Sequence, residues 1–344
     1  MRGSPALGTG QRASERGSSS LLITRRERWF ATVLVALLSA AWVAYLRSTD
    51  AAAPSDLAPV IWGAKAWLSG EDPFQAVAHS PVWNGGLLYP FTAVLPLIPF
   101  SWIPEFVLNV LWVSTSAGFL TWMIAKRGIS PAIVMLISPP MIHAVNTSQW
   151  TPLLLAAALS SWGGALLACK PTTALWLFAF RPRWQHLAGA TIVLGLSLVL
   201  WPAWPLAWRA VLGKAVYTIW PLMIPGGPLV LLALLRWRRP EARLLAAMVC
   251  VPHTMLIYET LPLFLIPQTW LEAGVLWFGC AAAVTLHAAL APYQTATDWV
   301  TMSGRLIVWC VYLPALIMVL RRREPRSRYR RLYTGAFAGD EQAG

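Results

Sequence analysis

The sequence predicts an all-α polytopic membrane protein, a bundle of about 10–12 transmembrane helices with a long first external loop that bears short interfacial helices. Hydrophobic residues make up 57% of the 344-residue chain and charged residues 12%. This composition leaves more apolar surface than one water-soluble core of this size can bury. The apolar residues form separate runs, and Lys and Arg gather at the ends of those runs, as in cytoplasmic loops.

The first span and the two tails follow from the same pattern. Residues 1–24 are rich in Gly, Ser and Arg, which is typical of a disordered tail. The first span, Trp29 to Leu46, carries no charge. It begins too far along the chain for a signal peptide and lacks a small-residue cleavage site. We therefore expect a transmembrane domain at 25–323 between a cytoplasmic tail at 1–24 and a second one at 324–344.

The longest polar stretch between apolar segments is the loop 47–86, which faces outward if the N-terminus lies inside. Within it, Pro59 opens and Gly70 closes an apolar stretch that predicts a short interfacial helix. Asp56 lies just ahead of this helix, where the helix macrodipole favours an ionised carboxylate. Two interpretations of Asp56 stay open: a helix cap or solvated loop acid, and a catalytic base.

Further apolar segments follow the loop in the order 87–103, 105–125, 130–145, 150–162, 163–180, 186–203, 215–235, 242–258, 259–269, 271–290 and 305–320. If each crosses the membrane, both termini are cytoplasmic and the basic connections fall inside, except Lys126 and Arg127. Segments 150–162 and 259–269 are short, so ten true spans with re-entrant pieces is the alternative. The Pro and Gly residues of 215–235 should break a helix, which indicates a cavity beside it.

The net charge of +13 does not indicate a nucleic-acid partner, because the positive residues lie at the ends of apolar runs. Membrane lipids are the partner that this distribution fits. The four cysteines lack CxxC spacing, the histidines lack metal-ligand spacing, and no nucleotide-binding motif occurs. The sequence therefore predicts neither a metal nor a cofactor.

Three ionisable residues stand inside apolar segments, where a charge costs roughly 2.5–3.5 kcal/mol on insertion scales. Lys170 precedes Pro171 and needs a partner, either an acid on another segment or a ligand such as a phosphate. His253 and Glu259 lie together near the end of the segment 242–258. A lone His is usually only hydrogen-bonded, but beside an acid in a membrane it is a candidate site residue.

Taken in order, these features resemble the GT-C superfamily of membrane glycosyltransferases that use polyprenyl-phosphate sugars, most closely glycosyltransferase family 87, the polyprenol-phosphate-mannose-dependent alpha-mannosyltransferases. The resemblance covers most of the chain. The residues that carry it are Asp56, Gly70-Glu71-Asp72-Pro73-Phe74, Tyr89-Pro90, Asn146 through Gln149, Gly163-Gly164 through Lys170-Pro171, Val251-Pro252-His253 and Tyr258-Glu259. The departures are Phe91 after Tyr89-Pro90, Thr-Ser within Asn146–Gln149, and two substitutions in the last motif.

The resemblance implies a GT-C-like bundle and an inverting, metal-independent transfer of a sugar, most simply mannose, from a polyprenyl-phosphate donor to a glycan or glycolipid acceptor. It implies that Asp56 is the catalytic base, acting at the outer face of the cell membrane. The substrate-binding residues that it implies are Tyr89, Asp72, Gln149, Lys170, His253 and Glu259. Lys126 and Arg127, with Arg209 and Lys214, are further candidates to hold the donor phosphate.

Two other functions remain open at this point. The broken segment 215–235 would serve as the gate of a transporter or flippase for a lipid-linked substrate, although no internal repeat is visible. A noncatalytic subunit that keeps the same fold would explain the substituted motifs.

Overall fold

The computed structural model describes residues 23–50, 55–80, 86–213 and 218–322, and these ranges are helical except for short connections. Within them, the one extended pairing is an isolated antiparallel bridge between Ile219 and His253. The chain is thus all-helical where it is described, as the sequence predicts. The predicted tails at 1–24 and 324–344 lie outside the described residues, apart from the two residues that lead into the first helix.

The α-helices in chain order are α1 (Arg25–Thr49), α2 (Ala58–Leu68), α3 (Pro73–Ala78), α4 (Phe91–Val94), α5 (Glu105–Ala125), α6 (Pro139–Asn146), α7 (Thr151–Leu159), α8 (Gly164–Leu167), α9 (Pro171–Phe180), α10 (Trp184–Leu200), α11 (Trp204–Leu212), α12 (Pro240–Cys250), α13 (Trp270–Ala289), α14 (Ala296–Ile307) and α15 (Leu313–Leu320). The 3₁₀ segments are Leu95–Phe100, Pro131–Ile137, Pro221–Met223, Gly227–Arg236 and Ile257–Leu265. A π-helical turn, Val308–Tyr312, joins α14 to α15.

Four of the described helical units are long and apolar enough to cross a membrane: α1, α5, α13 and the continuous unit Ala296–Leu320. A fifth is possible by length and composition if α10 and α11, which meet at a bend of 102°, form one broken span. The other predicted segments form shorter helices, such as Pro171–Phe180 and Gly227–Arg236. The long spans therefore number four or five, and broken helices take the place of the remaining ones.

The described part of the predicted external loop, 55–80, contains the short helix that the sequence predicts, but this helix packs on the protein. Helix α2 has Pro59 in its first turn, and Gly70 follows its end with φ +79°. Val60 and Ile61 are fully buried, and the helix packs against α3 and the 3₁₀ segment Leu95–Phe100. The loop is thus part of the core rather than a helix lying free at the interface.

Helices α1 and α5 form an antiparallel pair. The ring of Trp29, near the start of α1, packs 4.9 Å from the ring of Trp122, near the end of α5. The Arg28 guanidinium and the Lys126 ammonium lie 5.0 and 5.7 Å from the centre of the Trp122 ring. Lys126 is therefore at the same end of the bundle as the arginines that begin α1.

This placement differs from the end of the bundle that the count of segments predicted for Lys126 and Arg127. Counting 87–103 as a full span had placed Lys126 and Arg127 at the opposite end from the other basic residues. The structure makes of that segment one ten-residue helix, Phe91–Phe100, whose second half is 3₁₀ and carries two prolines, since proline removes a backbone donor and clashes with the preceding turn. A helix of this length is about half of a full crossing, so a count that treats 87–103 as a span does not give the end at which Lys126 lies.

Other arginines lie at that same end, near Arg127, and two of them cap helix ends. Arg181 donates to the Leu159 carbonyl at 3.1 Å, and Arg243 donates to the Ala179 carbonyl at 2.8 Å. Arg322 pairs with Glu272 at 2.8 Å and with Glu241 at 3.5 Å. Carbonyls at helix C-termini carry partial negative charge, so arginines stabilise them. One end of the bundle is thus strongly basic.

Glycines allow α8 and α10 to approach closely. A Cβ built on Gly164 would lie 2.5 Å from the His186 carbonyl oxygen, and one on Gly189 would lie 2.7 Å from the Ala165 nitrogen. These are backbone atoms, which cannot move aside as a flexible side chain can. The glycine-rich stretch found in the sequence therefore sets the position of α8, which leads directly into Lys170.

Replacing Gly164 by Ala should destabilise the fold by about 1–3 kcal/mol, the usual cost of overpacking a close contact. Thermal unfolding in detergent measures this as a lower midpoint than that of the wild type. Gly195→Ala, on α10, is the matched control, because a Cβ there meets nothing within 4 Å. Equal midpoints for the two variants would show that the close approach at Gly164 does not exist.

Candidate functional site

A cavity of about 270 Å³ lies where several broken helices meet. Its polar lining residues come from the ends or breaks of helices rather than from their middles: Asp56 precedes α2, Lys170 separates α8 from α9, and His253 follows α12. The full lining comprises Asp56, Leu88, Tyr89, Pro90, Lys170, Pro171, Thr172, Trp208, Leu212, Thr218, Pro252, His253, Thr254, Tyr258 and Glu259. Backbone that leaves the helical conformation in an apolar bundle is tolerated against protein or a cavity, which is the arrangement here.

Asp56 is fixed by the segment between α6 and α7. Its backbone N–H donates to the Thr147 carbonyl at 2.9 Å, and its carboxylate accepts a hydrogen bond from the Gln149 side-chain amide. Burial raises the pKa of Asp56, and the Gln149 hydrogen bond and the Lys170 charge partly offset that rise. The carboxyl group is thus buried among polar partners beside the cavity.

The interpretation of Asp56 as a helix cap is wrong. Leu57 occupies the N-cap position of α2, and no side chain hydrogen-bonds to the first turn of that helix. The expected effect of the macrodipole, an easily ionised carboxylate, is also outweighed by burial. The position of the Asp56 side chain is therefore not explained by capping the start of α2.

The turn that carries Gln149 is held from two sides. The Trp42 indole donates to the Asn146 side chain at 2.7 Å, and the Arg47 guanidinium donates to the Asn146 carbonyl at 3.3 Å. Ser148 has φ +53°, in the left-handed region that favours glycine. A non-glycine residue held there needs a surrounding structure that enforces it, and such residues cluster at functional sites.

Lys170 forms an ion pair with Glu259 at 3.1 Å, and both side chains are largely buried, at 13% and 2% exposure. The ammonium also lies 5.0 Å from the Tyr258 ring centre and 6.0 Å from that of Tyr89, within range of cation–π attraction. Of the two partners that the sequence left open, the structure supplies the acid on another segment. Because the pair lines the cavity, its cation also faces a ligand-sized space.

His253 lies beside this pair. Its Nδ1 is 2.8 Å from the Val251 carbonyl oxygen, and its Nε2 is 3.3 Å from the Tyr312 hydroxyl and 3.8 Å from the second oxygen of Glu259. The Trp176 ring meets the imidazole edge-on, with 4.6 Å between centres. The histidine is 3% exposed, so protein surrounds it on nearly every side.

Four predicted binding residues do not line the cavity, although one of them, Gln149, is joined to it by its hydrogen bond to Asp56. The other three lie elsewhere. Asp72 caps α3, accepting from the Phe74 and Gln75 backbone N–H groups at 2.8 and 3.3 Å. Lys126 lies over Trp122 at the basic end of the bundle, and Arg127 follows it there. Of the further cations considered, Arg209 is exposed on α11, and Lys214 lies outside the described residues. The structure thus joins Asp56, Tyr89, Gln149, Lys170, His253 and Glu259, and places Asp72, Lys126 and Arg127 elsewhere.

Two residues near the cavity were not singled out by the sequence. Trp208 lines it and donates its indole N–H to the Leu88 carbonyl at 2.9 Å; in the sequence it stands among tryptophans typical of a membrane interface. Tyr312 contacts His253 from the final helical unit, in an apolar run that carries no motif. No local signal in the sequence distinguishes it from a tyrosine of the core.

A second, apolar cavity of about 440 Å³ adjoins the first, and Pro90 and Pro171 line both. Its remaining lining comes mainly from α9 and α10, including Leu175, Phe178 and Leu194. A cavity that holds a few charged side chains and adjoins an apolar groove suits a ligand with a charged head and a long hydrocarbon chain.

Comparison with protein-family models, with curated proteins and with solved structures finds no match to this chain. The chemistry of the site therefore rests on the side chains that meet in it. These are a carboxyl group with one amide partner, a lysine held by a second carboxylate, and a histidine beside that pair.

Proposed function

We propose that this protein is a membrane glycosyltransferase that moves a sugar, most simply mannose, from a polyprenyl-phosphate donor to a glycan or glycolipid acceptor. The observation that carries the proposal is the meeting of Asp56, Tyr89, Lys170, His253 and Glu259 at one cavity, although they lie on separate segments of the chain. These are among the residues on which the resemblance to the polyprenol-phosphate-dependent enzymes depends. We propose a GT-C-like bundle of ten to twelve segments that enter the membrane. The long helices supply four or five of these segments, and the shorter helices supply the rest.

The chemistry needs one base and one group that favours the departing phosphate. The Asp56 carboxylate takes the proton of an acceptor hydroxyl, whose oxygen attacks the anomeric carbon with inversion. The bond from that carbon to the phosphate oxygen breaks, and the lipid phosphate leaves with the electron pair. Phosphate is already an adequate leaving group, so a positioned base is sufficient. Lys170 supplies the positive charge that stabilises it.

The apolar groove supports a lipid-linked donor. A sugar phosphate in the polar cavity would place its lipid chain at Pro90 and Pro171, where the groove between α9 and α10 begins. Burial of a hydrocarbon chain contributes about 0.8 kcal/mol per CH₂. A soluble sugar nucleotide has no lipid chain to fill the groove, so the groove favours a lipid-linked donor.

The distribution of charge supports an outward-facing site. The arginines near the start of α1 lie at the basic end of the bundle, and Arg47, near the end of this 25-residue helix, contacts the turn that holds Gln149. At 1.5 Å per residue the helix spans about 37 Å. If the basic end is cytoplasmic, both termini are inside and the cavity lies toward the outer face of the cell membrane.

The test is a transfer assay with purified protein in lipid nanodiscs. Polyprenyl-phosphate mannose and other polyprenyl-phosphate sugars are offered with a mixture of glycolipid acceptors, and products are resolved by mass. We expect a glycosylated acceptor and free polyprenyl phosphate in equal amounts, with a smaller yield from donors of shortened lipid. Absence of product from every donor, in protein whose thermal unfolding is intact, would reject the proposal.

The continuous polar cavity and apolar groove also favour a second candidate, a flippase or transporter of a lipid-linked substrate. The helix break at Gly226, with φ +91°, follows the cavity residue Thr218 in the chain and would be its gate. Movement of a labelled polyprenyl-phosphate sugar across vesicles without a covalent product identifies this function. Neither product nor movement identifies a noncatalytic subunit.

A further inference from the structure

The final helical unit, Ala296–Leu320, contains a π-helical turn at Val308–Tyr312. A π turn inserts one residue into an α-helix and shifts the direction of the side chains beyond it, and such turns are frequent at functional sites. Here the turn ends at Tyr312, whose ring is fully buried. Its hydroxyl lies 3.3 Å from Nε2 of His253.

The hydrogen bonds around His253 define its tautomer. A backbone carbonyl only accepts, so the 2.8 Å approach of the Val251 oxygen requires a proton on Nδ1. In the neutral imidazole Nε2 then carries a lone pair, and the Tyr312 hydroxyl is the donor that reaches it. The nearer Glu259 oxygen, 3.8 Å away, also only accepts and cannot bond to that lone pair.

The segment that carries His253 is held by further contacts from the same unit. Met255 has φ +48°, and its carbonyl accepts from the Ser303 hydroxyl at 2.8 Å. On the other side of the histidine, the backbone of His253 pairs with Ile219 at 3.0 Å in both directions. The position of the imidazole is therefore set from two sides, and its orientation is set by Val251 and Tyr312.

We propose that Tyr312 is a positioning residue that holds His253 neutral, with its proton on Nδ1 and its Nε2 bonded to the phenol. In this state His253 does not compete for Glu259, which remains with Lys170 at 3.1 Å. The charged groups that face the imidazole are Glu259 and Lys170. The expected effect on sugar transfer rests on the proposed function. The tautomer and charge of His253 do not depend on it.

Tyr312→Phe keeps the ring and removes the hydroxyl. Without that donor the neutral imidazole loses a partner, so His253 should take up a proton more readily and turn Nε2–H toward Glu259. We expect its titration midpoint to move to higher pH by about 0.5–1 unit, which corresponds to the net worth of one hydrogen bond. Transfer should lose kcat in the acidic range, where the imidazolium draws Glu259 from Lys170.

The measurement is nitrogen NMR of histidine-labelled protein in detergent, where the two ring nitrogens report tautomer and charge. The chain has five histidines, and His253→Gln assigns the signal. Tyr293→Phe is the matched control, because that hydroxyl also lies beside a histidine but donates to the His287 carbonyl at 2.6 Å. It should leave the His253 signal unchanged.

Several results would overturn the inference: a Nε2–H tautomer of His253 in the wild type, a Tyr312→Phe variant whose His253 tautomer and titration are unchanged, or an equal shift in Tyr293→Phe. The wild-type tautomer decides the matter even if the phenylalanine variant does not fold. A wild type that transfers no sugar rejects the proposed function and leaves this NMR test standing.

Discussion

Asp56→Asn should lower kcat for sugar transfer by about 10²- to 10⁴-fold, the usual contribution of a positioned general base. Asparagine has nearly the same shape and can still accept the hydrogen bond from Gln149, which is the polar side-chain contact that Asp56 makes in the described structure. The fold should therefore survive, and the thermal unfolding midpoint should stay near that of the wild type. The rate is measured with polyprenyl-phosphate mannose in membranes that contain equal amounts of each protein.

The control for this variant is Glu71→Gln, which removes an exposed carboxylate from the same external loop. It should transfer sugar at the wild-type rate. If Asp56→Asn inserts normally and transfers as fast as Glu71→Gln, Asp56 is not the base. Acidification provides the same test in the wild type: burial raises the pKa of Asp56, so transfer should fall as the pH drops through a value above that of an exposed aspartate.

Lys170→Met should have the second large effect, on both stability and donor use. The substitution keeps the length of the side chain but leaves Glu259, which is 2% exposed, without its cation. Removing one partner of a buried ion pair typically costs about 3–5 kcal/mol. We expect a lower thermal unfolding midpoint and, in the protein that remains folded, a loss of transfer at donor concentrations that saturate the wild type.

A double variant separates the two effects of this change. Lys170→Met with Glu259→Gln removes the unpaired charge, so most of the lost stability should return while transfer stays low. Lys65→Met, which removes an exposed lysine from α2, should change neither quantity. A double variant that recovers full transfer would show that Lys170 does not act on the donor phosphate.

The residues of the site could be found in the sequence because charge is costly inside an apolar segment. Lys170, His253 and Glu259 stood out for that reason, and the structure brings them together: Lys170 pairs with Glu259 at 3.1 Å, and Nε2 of His253 lies 3.8 Å from the other oxygen of Glu259. Asp56 was found through its place in the external loop. The partner of Lys170 could not be chosen, because the contact between Lys170 and Glu259 joins segments 89 residues apart.

The errors have equally physical origins. Lys126 and Arg127 were assigned to the outside because hydropathy alone counts 87–103 as a span. The structure has there a helix of only ten residues, Phe91–Phe100, whose 3₁₀ half contains two prolines that were visible in the sequence. Tyr312 could not have been found in this way. Its direction depends on a π turn at Val308–Tyr312, for which the run of apolar residues holds no signal.

The broken helices around the cavity also determine the order in which this chain can assemble. A segment such as Pro171–Phe180 has ten residues, about 15 Å of helix, which is half the thickness of the hydrocarbon layer. Lipid cannot satisfy the backbone groups at its ends. Long helices such as α1 and α5 can enter the bilayer on their own, whereas the short ones need protein neighbours already in place. The cavity with its charged side chains therefore forms late in biogenesis, through tertiary packing rather than through the insertion of single helices.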